Sequence, residues 1–274
     1  MPRTWRLGVV SYLNSRPLIE GLESAPDVRI LYDVPARLPG LLASGEVDVA
    51  LVPVIDLAQR GEAWKIVSDA CIGCDGETLT VRVFSRVLPE RIERLHVDGH
   101  SHTSVALARL IWRQAYGREL VVQPYDGAAS SQCQAVLLIG DKVVQHRLID
   151  FNHDIDLGGA WKTLTGLPFV FAVWAAPRDL PSDDLAVRLS AARDAGVRRA
   201  RVIAADLAPG LGWPVELAQR YLSVRLKFTL TQRQRAGMSR FIDMARQAGI
   251  LPDNATPELL THDVEQYVAL RDLR

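Results

Sequence analysis

The first half of the chain alternates short apolar segments with helical ones, and this alternation restricts the fold more than any other feature. Residues 6–12, 29–34 and 47–54 are apolar and rich in branched side chains, which predicts three strands. Residues 36–44 predict a short helix that Gly45 can close in the left-handed conformation. Near-continuous apolar strands separated by helices predict a parallel sheet with both faces covered, and ligands of such sheets bind at the carboxyl ends of the strands.

A second α/β unit is predicted after the polar break at residues 89–94. The further predicted strands are residues 78–87, 95–99, 120–125, 135–142 and 168–176, and the further predicted helices are residues 101–117, 182–206, 214–222, 231–248 and 256–271. We interpret this order as two α/β lobes joined by two crossing strands. Lobe I comprises residues 1–86 and 169–274, and lobe II, residues 87–168, is inserted into it. The cleft between such lobes is the expected site for a small molecule.

Composition narrows the class of partner. The 274 residues carry 32 basic and 32 acidic side chains, so no net charge attracts nucleic acid or an anionic membrane. No segment reaches the roughly 18 uninterrupted apolar residues that cross a bilayer, and three cysteines are not a disulfide framework. The first residues do not resemble a signal peptide. We therefore expect a cytoplasmic protein with a small-molecule ligand.

The segment SYLNSRPL, residues 11–18, follows the first predicted strand and predicts a strand-to-helix turn with Pro17 at the first position of the helix. Asn14 in this turn either caps the local backbone or directs its amide into the crevice at the sheet edge. In the second case the amide offers a donor and an acceptor without charge. Arg16 either balances ligand carboxylates or is solvated.

The segment GHSHTSVAL, residues 99–107, places three hydroxyls at the start of a predicted helix. One hydroxyl is enough for a helix cap, whereas Ser101, Thr103 and Ser104 together exceed that need. We therefore predict an anion-binding site formed by these side chains and the first N–H groups of the helix. His102 in the same segment is predicted to contact the anion.

Two other patterns suggest metal sites, but neither contains the complete set of ligands that such a site needs. His96, His100 and His102 lie on one strand-loop segment, but no carboxylate or thiolate completes a convergent set. Residues 150–159, DFNHDIDLGG, alternate oxygen ligands as in a calcium loop, yet Ile155 replaces the turn glycine and Trp161 the bidentate glutamate. We interpret this segment as an ordinary acidic loop and expect no metal.

Redox and cofactor motifs are also missing from the sequence. Cys71 and Cys74 form a CxxC pair, but they do not open a helix as a thioredoxin-type pair does, and Cys133 is alone. The sequence contains no nucleophile elbow, phosphate-binding loop or dinucleotide fingerprint. We expect chemistry without a cofactor.

Taken in order, six segments resemble one enzyme family. They are SYLNSRPL, GEVDVALVPV, GCDGETLTV, SHTSVALARL, VLLIGD and DLGGAWKTLTGLPFVFAVWAAP, and the resemblance continues through YLSVRLKFTLTQRQRAGMSRF. This set is similar to the chorismate dehydratases of the futalosine route to menaquinone. The resemblance implies the two-lobed fold of type II periplasmic binding proteins, used as an enzyme inside the cell.

The resemblance also implies a reaction and its residues. Chorismate would lose a ring proton and the neighbouring hydroxyl to give 3-[(1-carboxyvinyl)oxy]benzoate and water, with the enolpyruvyl carboxylate of the substrate as the base. Asn14 matches a functional asparagine of the family, and Thr80 stands where the family has serine. His102 stands where the helix-start motif usually has arginine. The matched motifs add further substrate contacts, namely Val54, Gly76 and Asp141.

Two alternatives to this enzyme remain open from the sequence. The first is a cytoplasmic binding or sensor protein of the same fold for an aromatic or dicarboxylate ligand, because a fold does not fix a function. The second is the related dihydroxynaphthoate synthase of the same pathway. That family has a different first motif and depends on a histidine, and neither is in register in this chain.

Overall fold

The computed structural model describes residues 3–125, 127, 133–146 and 150–254. The strands are β1 (Trp5–Val10), β2 (Val28–Asp33), β3 (Val49–Pro53), β4 (Trp64–Cys74), β5 (Val81–Ser85), β6 (Arg94–Val97), β7 (Val121–Pro124), β8 (Ala135–Ile139), β9 (His153–Asp156), β10 (Phe169–Pro177) and β11 (Leu226–Thr229). The α-helices of the described residues are α1 (Leu38–Ala43), α2 (Val54–Arg60), α3 (His102–Tyr116), α4 (Lys142–Gln145), α5 (Leu157–Thr165), α6 (Asp183–Arg198), α7 (Ala200–Leu207), α8 (Val215–Arg220) and α9 (Gln232–Gln247). The helix predicted over residues 256–271 lies outside the described residues.

The first lobe is built on a six-stranded sheet in the order β11-β4-β10-β3-β1-β2. Its β1, β2 and β3 pair in parallel, as the alternating periodicity predicts. The other three strands make the sheet mixed, because β10 runs antiparallel to β3 and β4, and β11 runs antiparallel to β4. The expectation of a wholly parallel sheet is therefore wrong for this half. The strand β4, which contains Cys71 and Cys74, is not among the strands predicted from the sequence.

The second lobe is built on a five-stranded sheet in the order β7-β6-β8-β5-β9. Parallel pairing joins β6 to β7 and β8, and antiparallel pairing joins β5 to β8 and β9. The strand β5 therefore belongs to this sheet, whereas the predicted boundary at residue 86 assigns it to lobe I. The hydrogen bonding favours a boundary near Thr80, and the lobe limits stay a prediction.

Asp156 forms hydrogen bonds with the backbone at the point where the chain first crosses from one lobe to the other. Its carboxylate accepts hydrogen bonds from the backbone N–H groups of Thr78 (3.0 Å) and Leu79 (2.7 Å), and it caps α5 through the N–H of Gly159 (3.0 Å). Leu79 has a positive φ of 75°, which a non-glycine residue adopts only when its surroundings hold it there. The interpretation of residues 150–159 as an ordinary acidic loop is wrong, because His153–Asp156 forms the edge strand β9.

Two other local features differ from the sequence expectations. The turn after β1 is a 3₁₀ helix, Leu13–Ile19, with Pro17 inside it rather than at the first position of an α-helix. The helix predicted over residues 214–222 is α8, which continues as a short π-helix, Tyr221–Arg225. Within the described residues, no helix has the length and apolar character needed to cross a bilayer.

Candidate active site

An interlobe cavity lies where strands of both sheets end. Val10 and Pro53, the last residues of β1 and β3, meet Ile139 at the end of β8, so the carboxyl ends converge as predicted. The cavity is lined by Val10, Tyr12, Asn14, Pro35, Pro53, Ile72, Thr78, Thr80, Val81, Ser101, Ser104, Ile139, Gly140, Phe171, Ala172, Tyr221 and Leu226. Its volume is about 40 Å³, far below the several hundred Å³ of pockets that hold drug-sized ligands. A ring-sized ligand can enter only if the lobes move apart.

Asn14 lines this cavity from the 3₁₀ helix that follows β1. The turn is fixed by Ser15, whose hydroxyl donates to the carbonyl oxygens of Val10 (2.5 Å) and Tyr12 (3.0 Å). Among the described residues, the Oδ1 atom of Asn14 is one of the buried polar atoms without a hydrogen-bond partner. A buried acceptor without a donor costs free energy, so this atom is suited to receive a hydrogen bond from a ligand.

Thr80 lines the cavity from the crossing segment between β4 and β5. Its Oγ1 lies 2.6 Å from the hydroxyl oxygen of Tyr221, and both side chains are 1% exposed. Burial raises the pKa of Tyr221 well above its ordinary value, and hydrogen bonds with Thr80 and Asn14 partly offset this rise. Tyr221 is therefore protonated at neutral pH, and three polar side chains of the cavity wall form one cluster.

The start of α3 contributes the other polar part of the wall. Ser101 is the N-cap residue, because its hydroxyl oxygen accepts the N–H of Ser104 at 3.1 Å. The Ser101 hydroxyl donates to the Ser104 Oγ at 2.8 Å, which leaves the Ser104 hydroxyl hydrogen available to a ligand. Both serines line the cavity.

Electrostatically, the cavity wall is neutral. None of the described residues that line it carries a formal charge, and most are apolar. The N-terminus of the 15-residue helix α3 carries a partial positive charge that attracts anions. An anion in this cavity would thus be held by hydroxyls and a helix end rather than by an ion pair.

The structure separates His102 and Thr103 from the cavity lining. Thr103 is buried, and its Oγ1 accepts the N–H of Ile55 at 3.2 Å, which joins α3 to α2. The Nδ1 atom of His102 lies 2.8 Å from Asp56 Oδ1, and its side chain is 50% exposed beside a more open groove. His102 and Thr103, two members of the predicted anion site, thus make contacts that join the lobes.

The pairing of His102 with Asp56 predicts a pH-dependent contribution to stability. The hydrogen bond to Asp56 raises the pKa of His102. A histidine with a raised folded-state pKa contributes stability below its unfolded pKa, and this contribution is lost as pH rises through the folded pKa. We expect the stability difference between the unaltered chain and His102→Gln to shrink by about 0.5 kcal/mol from about pH 5 to about pH 9, a small change because the pair is half-exposed.

Urea denaturation at a series of pH values measures this effect. Asp56→Asn keeps the shape of the partner and removes its charge, so it should abolish the same pH dependence. A stability difference for His102→Gln that stays constant with pH would contradict the prediction.

The remaining predicted contacts also lie outside the cavity lining. Val54 is buried at the first position of α2, directly after the lining residue Pro53. Gly76 has a φ of +114°, which lets the crossing segment turn after β4. Asp141 accepts hydrogen bonds from the N–H of Leu13 (3.3 Å to each oxygen) and from Trp213 Nε1 (3.1 Å).

Asp141 thus ties lobe II to the residue before Asn14, and burial raises its pKa. Arg16 neither reaches the cavity lining nor is simply solvated. It packs over the Tyr32 ring at 4.4 Å and donates to the Tyr32 hydroxyl at 2.8 Å.

The sequence analysis missed Tyr12, Thr78 and Tyr221 as lining residues. It also missed Asp156, which holds the backbone of Thr78 in place. The sequence did hold a signal for Asp156, because an aspartate directly before a helical segment is a preferred N-cap. No comparable local signal marks Tyr221, which reaches Thr80 across 141 residues of sequence.

Comparison with known proteins identifies relatives over most of the chain. A family described as menaquinone biosynthesis matches residues 5–247. A chorismate dehydratase of Thermus thermophilus is 31% identical over 268 residues, covering 88% of this chain and 95% of that protein.

Solved structures share the fold at low sequence identity. The Candida albicans protein CA3427, described as having the generic periplasmic binding protein fold, superposes with a TM-score of 0.67 at 15% identity, covering 96% of each chain. The alkanesulfonate-binding protein SsuA of Xanthomonas axonopodis pv. citri, bound to MOPS, also gives 0.67 at 15% identity, covering 96% of this chain and 98% of that one. The two lobes therefore have the periplasmic-binding-protein fold, as the sequence resemblance implies.

Proposed function

Since the chain belongs to the family of menaquinone biosynthesis proteins, we propose that it is a chorismate dehydratase. It converts chorismate to 3-[(1-carboxyvinyl)oxy]benzoate and water in the cytoplasm, as the first step of the futalosine route. The relative from Thermus thermophilus supports this assignment. The observation that carries it is that Asn14, with an unpartnered amide oxygen, and Thr80, with its hydroxyl, line the same cavity.

The proposed reaction needs orientation more than a strong acid or base. The C–H bond at the ether-bearing ring carbon breaks, and the enolpyruvyl carboxylate of the same substrate takes the proton. The electron pair left on carbon then expels the neighbouring hydroxyl as hydroxide, which takes up that proton and leaves as water. The ring becomes aromatic, which drives the elimination.

The neutral cavity wall suits this elimination. Asn14 Oδ1 can accept the substrate hydroxyl hydrogen in the ground state, and the Thr80 hydroxyl can donate to the same oxygen as negative charge develops on it. The start of α3, with the Ser104 hydroxyl, would hold the ring carboxylate. An apolar wall free of formal charge leaves the enolpyruvyl carboxylate unpaired and therefore basic.

Lobe closure completes the proposed mechanism. Chorismate enters the open form, and closure fixes its conformation and excludes water around the reacting carbons. Contacts that cross between the lobes, such as Asp141 with the Leu13 N–H, would hold the closed form.

Incubation of the purified protein with chorismate tests the proposal. We expect the diene absorbance of chorismate to be replaced by a benzenoid ultraviolet spectrum, with one water released for each product formed. Asn14→Ala, assayed at the same concentration, is the matched control for a contaminating activity. Tight chorismate binding without any spectral change would overturn the enzymatic proposal in favour of a binding or sensor protein.

A further inference from the structure

Tyr221 is fully buried beside Thr80, and the mechanism above gives it no role. Its ring stacks on Trp213 at a centroid distance of 5.0 Å and an interplanar angle of 22°, which fixes the position of the hydroxyl. Trp213 is held in turn by its hydrogen bond to Asp141. The π-helix that begins at Tyr221 is a rare element that occurs often at functional sites.

The hydrogen bonds around Tyr221 can be assigned from the donor and acceptor atoms of its neighbours. Thr80 and Asn14 both lower the pKa of Tyr221 by side-chain hydrogen bonds, so both side chains lie beside its hydroxyl. The Oδ1 atom of Asn14 has no partner in the described structure, so the Asn14 atom that bonds to Tyr221 is the amide nitrogen, which donates.

Thr80 Oγ1 lies 2.6 Å from the Tyr221 hydroxyl oxygen, and either hydroxyl can be the donor. The proposed function turns the Thr80 hydrogen toward the substrate, and this requires Tyr221 to donate to Thr80. A hydroxyl that accepts this bond has its own hydrogen free to turn into the cavity. The resulting chain runs in one direction, from the Asn14 N–H through the Tyr221 O–H to the Thr80 O–H.

We infer that Tyr221 is a positioning residue for the elimination: it fixes Thr80 as a hydrogen-bond donor toward the leaving oxygen and Asn14 as an acceptor beside it. This inference rests on the proposed function. Tyr221 transfers no proton in this role, because the ring proton completes the departing water. A buried tyrosine polarises Thr80 by donating to it, since hydrogen bonds in a chain strengthen one another.

Tyr221→Phe is the direct test, because it removes the hydroxyl and keeps the stacked ring. We expect kcat to fall roughly tenfold to a hundredfold with little change in KM, since the carboxylate contacts at α3 are untouched. Tyr32→Phe is the matched control and should keep full activity, because its hydroxyl bonds to Arg16 and Glu23 away from the cavity.

A double-mutant cycle with Thr80→Val separates positioning from a structural role. If Tyr221 acts through Thr80, Tyr221→Phe should change kcat by less than about twofold in the Thr80→Val background. Single-turnover reactions with enzyme in excess, followed for hours, measure the slow variants. Losses that multiply in the double variant, or full activity of Tyr221→Phe, would overturn the inference.

A second variant covers the case in which Tyr221→Phe does not fold. Replacement of Tyr221 by 3-fluorotyrosine keeps the shape of the side chain and makes the phenol a stronger hydrogen-bond donor. We therefore expect kcat to rise in the protein that retains Thr80 and to stay unchanged in the Thr80→Val variant. An unchanged kcat in both would overturn the inference. Failure of the unaltered chain to convert chorismate would instead overturn the proposed function, so the two failures are distinguishable.

Discussion

Replacement of Asn14 by alanine is expected to lower the kcat for chorismate at least about a hundredfold, equivalent to about 2.7 kcal/mol of transition-state stabilisation. Two lost interactions contribute to this fall in kcat. The substrate hydroxyl loses the acceptor Oδ1, and Tyr221 loses the amide donor that sets the direction of its own hydrogen bond. Steady-state turnover followed by the benzenoid absorbance measures the change.

Asn152 offers a matched control for this prediction. It is an exposed asparagine just before β9 and outside the cavity lining, so Asn152→Ala should keep full activity. Thermal unfolding of both variants separates loss of function from loss of fold. A kcat for Asn14→Ala within about threefold of the unaltered chain would contradict the role assigned to Asn14.

Local signals in the sequence predict several elements closely. The helix α3 begins after the cap Ser101 and ends before Gly117, whose φ of +62° is the left-handed conformation expected there. The parallel strands of the first lobe follow from their apolar, branched residues. These predictions succeed because caps, turns and periodicity depend on neighbours within a few residues.

The candidate site could be predicted only in part, because its contacts join distant parts of the chain. The turn after the first strand points to Asn14, and the family resemblance adds Thr80; both line the cavity. His102 and Thr103 follow Ser101 directly, yet successive residues of a helix point about 100° apart and these two face α2. Tyr221 depends on a contact across 141 residues, which no local pattern encodes.

The mixed character of the first sheet has a similar origin. The strand β10 is as apolar as a central parallel strand, and its residues alone do not reveal its direction. Its direction is set by topology, because the chain leaves the first sheet after β4 and returns from the second lobe. The same departure places Thr80 and the support from Asp156 at the crossing, so the fold positions the candidate site.

The largest effect on stability is expected at Arg193, a charged side chain of α6 that is 1% exposed. Its Nη2 atom lies 3.1 and 3.0 Å from the two carboxylate oxygens of Asp69 on β4. Its Nη1 atom donates to the Phe228 carbonyl (3.2 Å) and to Thr229 Oγ1 (3.1 Å) on β11. Arg193 thus joins one helix to two strands of the first sheet.

Arg193→Met is expected to lower the free energy of unfolding by about 3–5 kcal/mol, because it removes the guanidinium from a buried carboxylate and the donor from the Phe228 carbonyl oxygen. Urea denaturation measures the loss. Arg188→Met is the control and should cost less than about 1 kcal/mol, since the Arg188 pair with Asp27 is more exposed than the Arg193 pair.

The cause of the Arg193→Met loss is testable by adding a second change. Asp69→Asn removes the buried negative charge while keeping the shape, so the double variant Asp69→Asn/Arg193→Met should be more stable than Arg193→Met alone. Two independent destabilising substitutions would have additive effects on the free energy of unfolding, and the double variant would then be less stable than Arg193→Met. If the double variant is instead the less stable one, the loss comes from packing and carbonyl contacts of the Arg193 stem rather than from the buried charge.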